Sequence, residues 1–189
     1  MLKLNIGAGH TNFGEDWEHI DNINEPHIKS HDITKLPYED NSVDVLYSSH
    51  TLEYFDREEV IDVLKEWYRV LKVGGKIYLS VPNFTTMCDL YQDDVPLHKL
   101  LGPLYGKMDS NGRIIYHKTV WDYASLGEYL RIVGFRRIDT WVPHWEMDIP
   151  GIQPFDTKDD CSNAMIDHQY ISLNIVATKN EYEGKNENR

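Results

Sequence analysis

Short apolar runs alternate with longer stretches of helical periodicity along this chain, and that alternation predicts a sheet with crossover helices. Seven runs read as strands: Leu2 to Ile6, Glu18 to Asp21, Ile28 to His31, Val43 to Ser48, Lys76 to Val81, Arg136 to Val142 and Ile171 to Thr178. Several are apolar without strict alternation, the pattern of strands covered on both faces. Two helices are well signalled. The stretch DREEVIDVLKEWYRVLKVGG opens with Asp56 and Glu59 at capping-box spacing. Val60, Leu64, Trp67 and Leu71 form its apolar face, with Ile61 and Tyr68 beside them, and Gly74-Gly75 is expected to end it. The second, TVWDYASLGEYLRIVGF, starts at Thr119 and Asp122 and stops at Gly134. Its expected face is Val120, Tyr123, Leu126, Leu130 and Val133. Between residues 84 and 117 the pattern weakens. That segment is expected to be an insertion or lid over the carboxyl ends of the strands. The whole reads as one domain over residues 1–179, with 180–189 a polar, flexible tail.

Composition narrows the partners. The 189 residues are enough for one full core, and the net charge is −12. A nucleic-acid partner or an anionic membrane surface calls for a basic face, and the densest basic run is the pair Arg136-Arg137. Neither partner is therefore expected. Cys88 and Cys161 read as idle thiols rather than a disulfide framework. Met1 leads straight into a strand and no apolar run approaches the ~20 residues of a membrane span, so the expectation is a cytoplasmic protein. No metal site is expected. His and Cys never fall at tight ligand spacing, and the acidic run Asp156 to Asp160 reads as a solvated loop.

Chemistry enters at the end of the first strand. KLNIGAGHTNFGEDWEHIDNI breaks at Gly7-Ala8-Gly9, and Asp21 follows at the end of the next apolar stretch. Glycines after a strand let a ligand approach the backbone, and an acid at the end of the second strand accepts ribose hydroxyls. That pairing suits any adenosine-containing cofactor, and a plain turn also explains the glycines. Against NAD, Asn12 stands where the third glycine of G-x-G-x-x-G belongs, and residues 10 to 16 leave little room for the helix whose N-terminus would hold a pyrophosphate.

Four segments arrive in order: NIGAG, HDITKLPYEDNSVDVLYSSHTLEYF, VLKEWYRVLKVGGKIYLSVPN and HKTVWDYASLGEYLRIVGF. Over about residues 2 to 142 they resemble the small class I S-adenosylmethionine-dependent methyltransferases, notably the methyltransferase-11-like group. The resemblance implies an α/β fold, a Rossmann-like three-layer sandwich whose seven-stranded sheet is mostly parallel with an antiparallel final strand. It implies S-adenosyl-L-methionine as cofactor, with S-adenosyl-L-homocysteine as product. Gly7, Ala8 and Gly9 would contact the methionyl part, Asp21 the ribose, and Asn22 and Asp32 the adenine, with Ile33 packed on the ring. Ser48, Ser49 and His50 would line the floor near the sulfonium. Asn5 belongs to the same set, at a position where many relatives carry an acid.

Three departures bear on activity: Val73 replaces a usual Pro, Tyr54 stands in place of the His of Leu-Glu-His, and Asn83 in place of an Asp. A hydroxyl acceptor needs a general base, and His50 and then His117 are the first candidates, ahead of His10, His98 and His168. Tyr54, Asn83 and Tyr91 are the candidate acceptor contacts. The resemblance implies a small-molecule acceptor, with sugar-linked compounds included, methylated on oxygen or nitrogen. An inactive cofactor-binding partner subunit and an NAD or nucleotide-sugar enzyme stay open beside this reading, as does the oligomeric state.

Overall fold

In the computed structural model, residues 1–141 and 164–180 are described. A seven-stranded sheet is built from β1 (Lys3–Ile6), β2 (Glu18–Ile20), β3 (Ile28–Ser30), β4 (Val43–Ser49), β5 (Leu71–Pro82), β8 (Phe135–Thr140) and β11 (Ser172–Lys179), and a two-stranded pair of β9 (Met165–Ile166) and β10 (Gln169–Tyr170) precedes β11. The seven run in the order β3-β2-β1-β4-β5-β11-β8. All seven lie where the apolar runs predict them. Neighbours pair in parallel except β11, which is antiparallel to both β5 and β8. β1 lies between β2 and β4, so the order reverses there, and ligands bind at such a switch point.

Alternate side chains serve different faces of the sheet. Leu4, Ile6, Leu46, Ile77, Leu79, Leu173 and Ile175 join the main core with α1 (Glu59–Val70) and α4 (Tyr123–Val133). The intervening Val45, Tyr47 and Tyr78 pack with Phe13 and Trp17 instead, and with Trp141 at the margin. The loop between β1 and β2 thus covers the second face with aromatic rings, Phe13 sitting edge-on to both Trp17 and Tyr47.

Asp56 caps α1 as its spacing suggests. Its Oδ1 accepts from the amides of Glu58 and Glu59, and Glu59 Oε2 accepts from the Asp56 amide in return. The helix ends earlier than Gly74-Gly75, at Val70. Leu71 is already extended and pairs with Val43, and Lys76 pairs with Val45, so residues 72–75 bulge out of β5. Burying Leu71 in the core decides the matter, because a continued helix would carry it away from β4. The α4 face also differs from expectation. Asp122 caps the helix with Ser125, and Leu126 and Leu130 are buried, but Val120 and Tyr123 are largely exposed. Trp121 takes the core position, since the helix begins only at Tyr123 and residues 119–122 precede it.

The weakly patterned segment folds into more structure than its sequence signals. It holds α2 (Phe84–Gln92), α3 (Leu97–Tyr105) and a hairpin of β6 (Met108–Ser110) and β7 (Arg113–Ile115). Leu90, Val95 and Leu100 make a satellite core with Ile171, at the start of β11. Among the described residues no helix is long and apolar enough to cross a membrane. Cys88 is a free, half-buried thiol. Cys161, the acidic run 156–160 and tail residues 181–189 lie outside the described residues.

Candidate active site

The carboxyl ends of β1, β2, β3, β4 and β5 share one edge of the sheet, and the amino end of β11 meets them there. Two adjoining cavities open along that edge. The first, about 420 Å³, is bordered by Asn5, the Gly7-Ala8-Gly9 turn, Ser49, His50, Tyr54 and His117, with Pro103, Met108, Ala164 and Ile171 as apolar wall. The second, about 360 Å³, is bordered by Gly7, Gly9, Asp21, Asn22, Asp32 and Ile33, and closed by Met108 and Ile115 of the hairpin. Gly7, Gly9, His50, Tyr54 and Met108 border both, so the cavities form one continuous site.

The glycine turn is built for closeness. Gly7 has φ +70°, and a Cβ there would lie 1.9 Å from Thr51 Oγ1 and 2.8 Å from Thr51 Cβ. Only glycine fits between β1 and the turn after β4. Gly9 faces the other way, and a Cβ on it would meet nothing within 4 Å, so its backbone looks onto open cavity. Asp21 staples the turn: Oδ2 accepts from the Gly9 amide at 2.8 Å and Oδ1 from the Ile23 amide at 3.1 Å. Loop residues 8 to 17 contain no helix, and β2 begins at Glu18. The helix N-terminus that a pyrophosphate would need is not formed there.

Asp32 closes the next turn. Its Oδ1 accepts from the Thr34 amide, the Thr34 hydroxyl and the Lys35 amide, and the Thr34 hydroxyl chiefly holds the carboxyl below its ordinary range. Ile33 lines the same cavity, and its carbonyl accepts from the Trp67 indole at 2.8 Å, which ties the adjacent turn to the core. Asn22 is clasped by the hairpin. Its side-chain amide donates to Ser110 Oγ at 2.7 Å, and its carbonyl accepts from Asn111 Nδ2 at 2.7 Å.

His50 follows β4 with φ +49°, a conformation uncommon outside glycine. That bend turns the ring so that Nε2 lies 2.9 Å from Ser172 Oγ and Nδ1 lies 3.3 Å from Glu53 Oε1. His117 approaches from the insertion, edge-on to Tyr54 at 4.8 Å between ring centres. Its pKa is lowered, first by burial and against the pull of Glu53.

Most of the residues picked from sequence converge here. Asn5, Gly7, Ala8, Gly9, Asp21, Asn22, Asp32, Ile33, Ser49, His50, Tyr54 and His117 border one cavity or both. Three do not. Ser48 is buried within β4 with its side chain turned from the cavities, because alternate strand residues face opposite ways. Asn83 precedes α2 and bridges to Trp121, and Tyr91 stands 59% exposed on α2, outside both cavities. The residue missed was Glu53. It is fully buried in the 3-10 turn Leu52–Tyr54, beside both histidines. An acid between Leu52 and Tyr54 in an apolar run was the available signal.

The residues present fit S-adenosylmethionine. Asn5 Nδ2 is buried without a hydrogen-bond partner among the described residues and borders the first cavity, as a group awaiting a ligand acceptor would. The second cavity offers the carboxylates of Asp21 and Asp32 and an apolar face at Ile33, the chemistry an adenosine calls for.

Comparison with known proteins agrees with the fold. Residues 12–79 match the family described as Methyltransferase domain. The demethylmenaquinone methyltransferase of Bacillus mycoides (strain KBAB4) is 38% identical over 94 residues, which are 50% of this chain and 36% of that protein. The chain thus spans about a third of the length of the curated relatives it matches. A methyltransferase structure from Archaeoglobus fulgidus superposes with a TM-score of 0.56 at 18% identity, over 94% of this chain and 86% of that one. The 1,6-didemethyltoxoflavin-N1-methyltransferase of Burkholderia thailandensis, solved with 1,6-didemethyltoxoflavin and S-adenosylhomocysteine, superposes at 0.53 and 15% identity, over 95% of this chain and 71% of that one.

Proposed function

We propose that this chain, whose sheet has the class I S-adenosylmethionine-dependent methyltransferase fold and whose residues 12–79 match a methyltransferase domain, transfers a methyl group from S-adenosylmethionine to a small-molecule acceptor. The observation that carries the reading is the pair of joined cavities at the switch point. One is lined by the acids and apolar side chain that suit an adenosine, the other by a polar floor under an apolar wall. S-adenosylmethionine, when bound, supplies an activated methyl group. Asp21 and Asp32 would hold its adenosine with Ile33, and Asn5 with the Gly7-to-Gly9 backbone its methionyl end. The acceptor occupies the first cavity against Tyr54. That arrangement aligns the two reactants, which is the main lever for a displacement at an already activated carbon. The nucleophilic atom is oxygen or nitrogen. The apolar wall of Pro103, Met108, Ala164 and Ile171 favours an acceptor with an apolar body, to which a sugar or other polar group attaches at the open side.

Thermal unfolding with S-adenosylhomocysteine, S-adenosylmethionine and NAD in parallel tests the reading. A ligand at 100 times its Kd adds ~2.7 kcal/mol, a rise in Tm of roughly 5–10 °C for a domain of this size. The expected result is a rise with both adenosyl compounds and none with NAD, abolished in Asp21→Ala. No rise with either adenosyl compound at millimolar concentration overturns it.

A further inference from the structure

Among the described residues, Glu53 is fully buried and neither carboxylate oxygen accepts a hydrogen bond. Its Oε1 lies between two imidazoles, 3.3 Å from His50 Nδ1 and 3.8 Å from His117 Nε2. The two rings are held differently. His117 Nδ1 is 3.1 Å from the Pro103 carbonyl oxygen, and a carbonyl only accepts, so Nδ1 carries the proton. In the neutral ring Nε2 is then unprotonated, with a carboxylate oxygen 3.8 Å away, and a proton arriving at Nε2 makes that proximity an ion pair. Gly106 leaves the space for this nitrogen, since a Cβ there would sit 2.3 Å from it. His50 differs: its Nε2 is paired with Ser172 Oγ at 2.9 Å, and its Nδ1 stands near the same Glu53 oxygen. Both rings border the first cavity.

We propose that His117 Nε2 takes the proton from a phenol-like hydroxyl held in the first cavity, and that Glu53 is the positioning residue that stabilises the resulting imidazolium. The inference rests on the methyl-transfer reading above and makes His117, rather than His50, the catalytic base. In the step the acceptor's O–H bond breaks and its proton goes to His117 Nε2. The oxygen's electron pair forms the new C–O bond, and the C–S bond breaks with its pair left on sulfur, giving S-adenosylhomocysteine. A phenolic hydroxyl titrates near ~10, within range of an imidazole during reaction, whereas an alkyl hydroxyl titrates far higher. A carboxylate acceptor needs no base and would be repelled by Glu53. Glu53, His50 and the Tyr54 ring are the titratable groups that face His117.

Two measurements test this. Long-range proton–nitrogen NMR of the unliganded protein should find the His117 proton on Nδ1, with Glu53→Gln lowering its titration midpoint. Methyl transfer from labelled S-adenosylmethionine should be seen with 1-naphthol or catechol. In His117→Gln, kcat should fall by ~10²–10⁴-fold with S-adenosylhomocysteine affinity unchanged. Glu53→Gln should lower kcat and move the acid limb of the pH profile to lower pH. A proton on Nε2, a midpoint unmoved by Glu53→Gln, or no phenol methylated by protein that binds S-adenosylhomocysteine each overturns the proposal alone. Failure to bind S-adenosylhomocysteine overturns the methyl-transfer reading and this proposal with it. The tautomer in the wild-type protein and the His117→Gln kinetics carry the test should Glu53→Gln not fold.

Discussion

Gly7→Ala should damage both folding and ligand binding, and the contacts set the size of the effect. Gly7 sits at φ +70°, where an alanine costs about 1–2 kcal/mol. The added Cβ would also lie 1.9 Å from Thr51 Oγ1 and 2.8 Å from both Thr51 Cβ and Cγ2. Rotating Thr51 moves Oγ1 but not Cβ, so no rotamer removes the clash. Thr51 is buried, and its hydroxyl donates toward the carbonyl of Ser49, which limits backbone relief. Overpacking of this kind adds about 1–3 kcal/mol, for a total of about 2–5 kcal/mol. At roughly 2–4 °C per kcal/mol, Tm should fall by about 4–20 °C. A double-mutant cycle with Thr51→Gly isolates the clash: thermal or urea unfolding of the four proteins should give a favourable coupling of about 1–3 kcal/mol, leaving the backbone cost in the double variant. Gly9→Ala is the control. Its Cβ meets nothing within 4 Å, so stability should fall only by its own φ cost while S-adenosylhomocysteine affinity falls further, because the methyl projects into the cavity. A Gly7→Ala protein within 1 °C of wild type on this ~2 °C-per-kcal/mol scale, or a cycle with no coupling, would refute the packing argument.

Other consequences follow from the same geometry. His19 accepts the Phe13 amide at Nε2, and burial, then His27, lowers its pKa from 6.5 to about 4. The unfolded chain therefore binds the proton first. Stability should be complete above pH ~6.5 and decline by on the order of 3 kcal/mol as pH falls toward 4. His19→Gln, which still offers an acceptor, should flatten that slope in urea unfolding between pH 4 and 7. Arg69 bonds Glu66, Asp40 and the carbonyls of Leu36 and Tyr38, so Arg69→Ala should cost about 1–3 kcal/mol by loosening the loop before β4, measured by thermal unfolding. Ser110→Ala removes the side-chain half of the clasp on Asn22. It should speed S-adenosylhomocysteine release by roughly 2–10-fold in stopped flow, the worth of one exposed hydrogen bond; an unchanged release rate would separate the hairpin from ligand exchange.

The Gly7-to-Asp32 part of the cavity lining was legible because it is local. Gly7 and Gly9 follow a strand directly, Asp21 and Asp32 end the next two, and the parallel order brings those ends to one edge. The lining contributed from farther along the chain was not. Tyr91 lies outside the site because the insertion folds as α2 and α3 and turns that ring to solvent, and its periodicity was too weak to reveal either helix. Asn83 was spent at the entry to α2 by its pairing with Trp121, which lies 38 residues away in the chain. Ser48 failed by one residue of strand parity, which is set by the register of β4 against β1 and β5.

By itself, then, the sequence determined seven strands, two capped helices and a glycine turn with its acids, since each depends on neighbours a few residues apart: hydrophobic periodicity, a cap, a backbone without Cβ. Tertiary structure alone decided where α1 stops, which residue of the 119–123 stretch enters the core, and what surrounds Glu53. Leu71 leaves the helix because β4 offers it a buried partner. Glu53 comes to lie between two imidazoles because the end of β4 and the approach to α4 deliver His50 and His117 to one desolvated point, and no local pattern encodes that meeting.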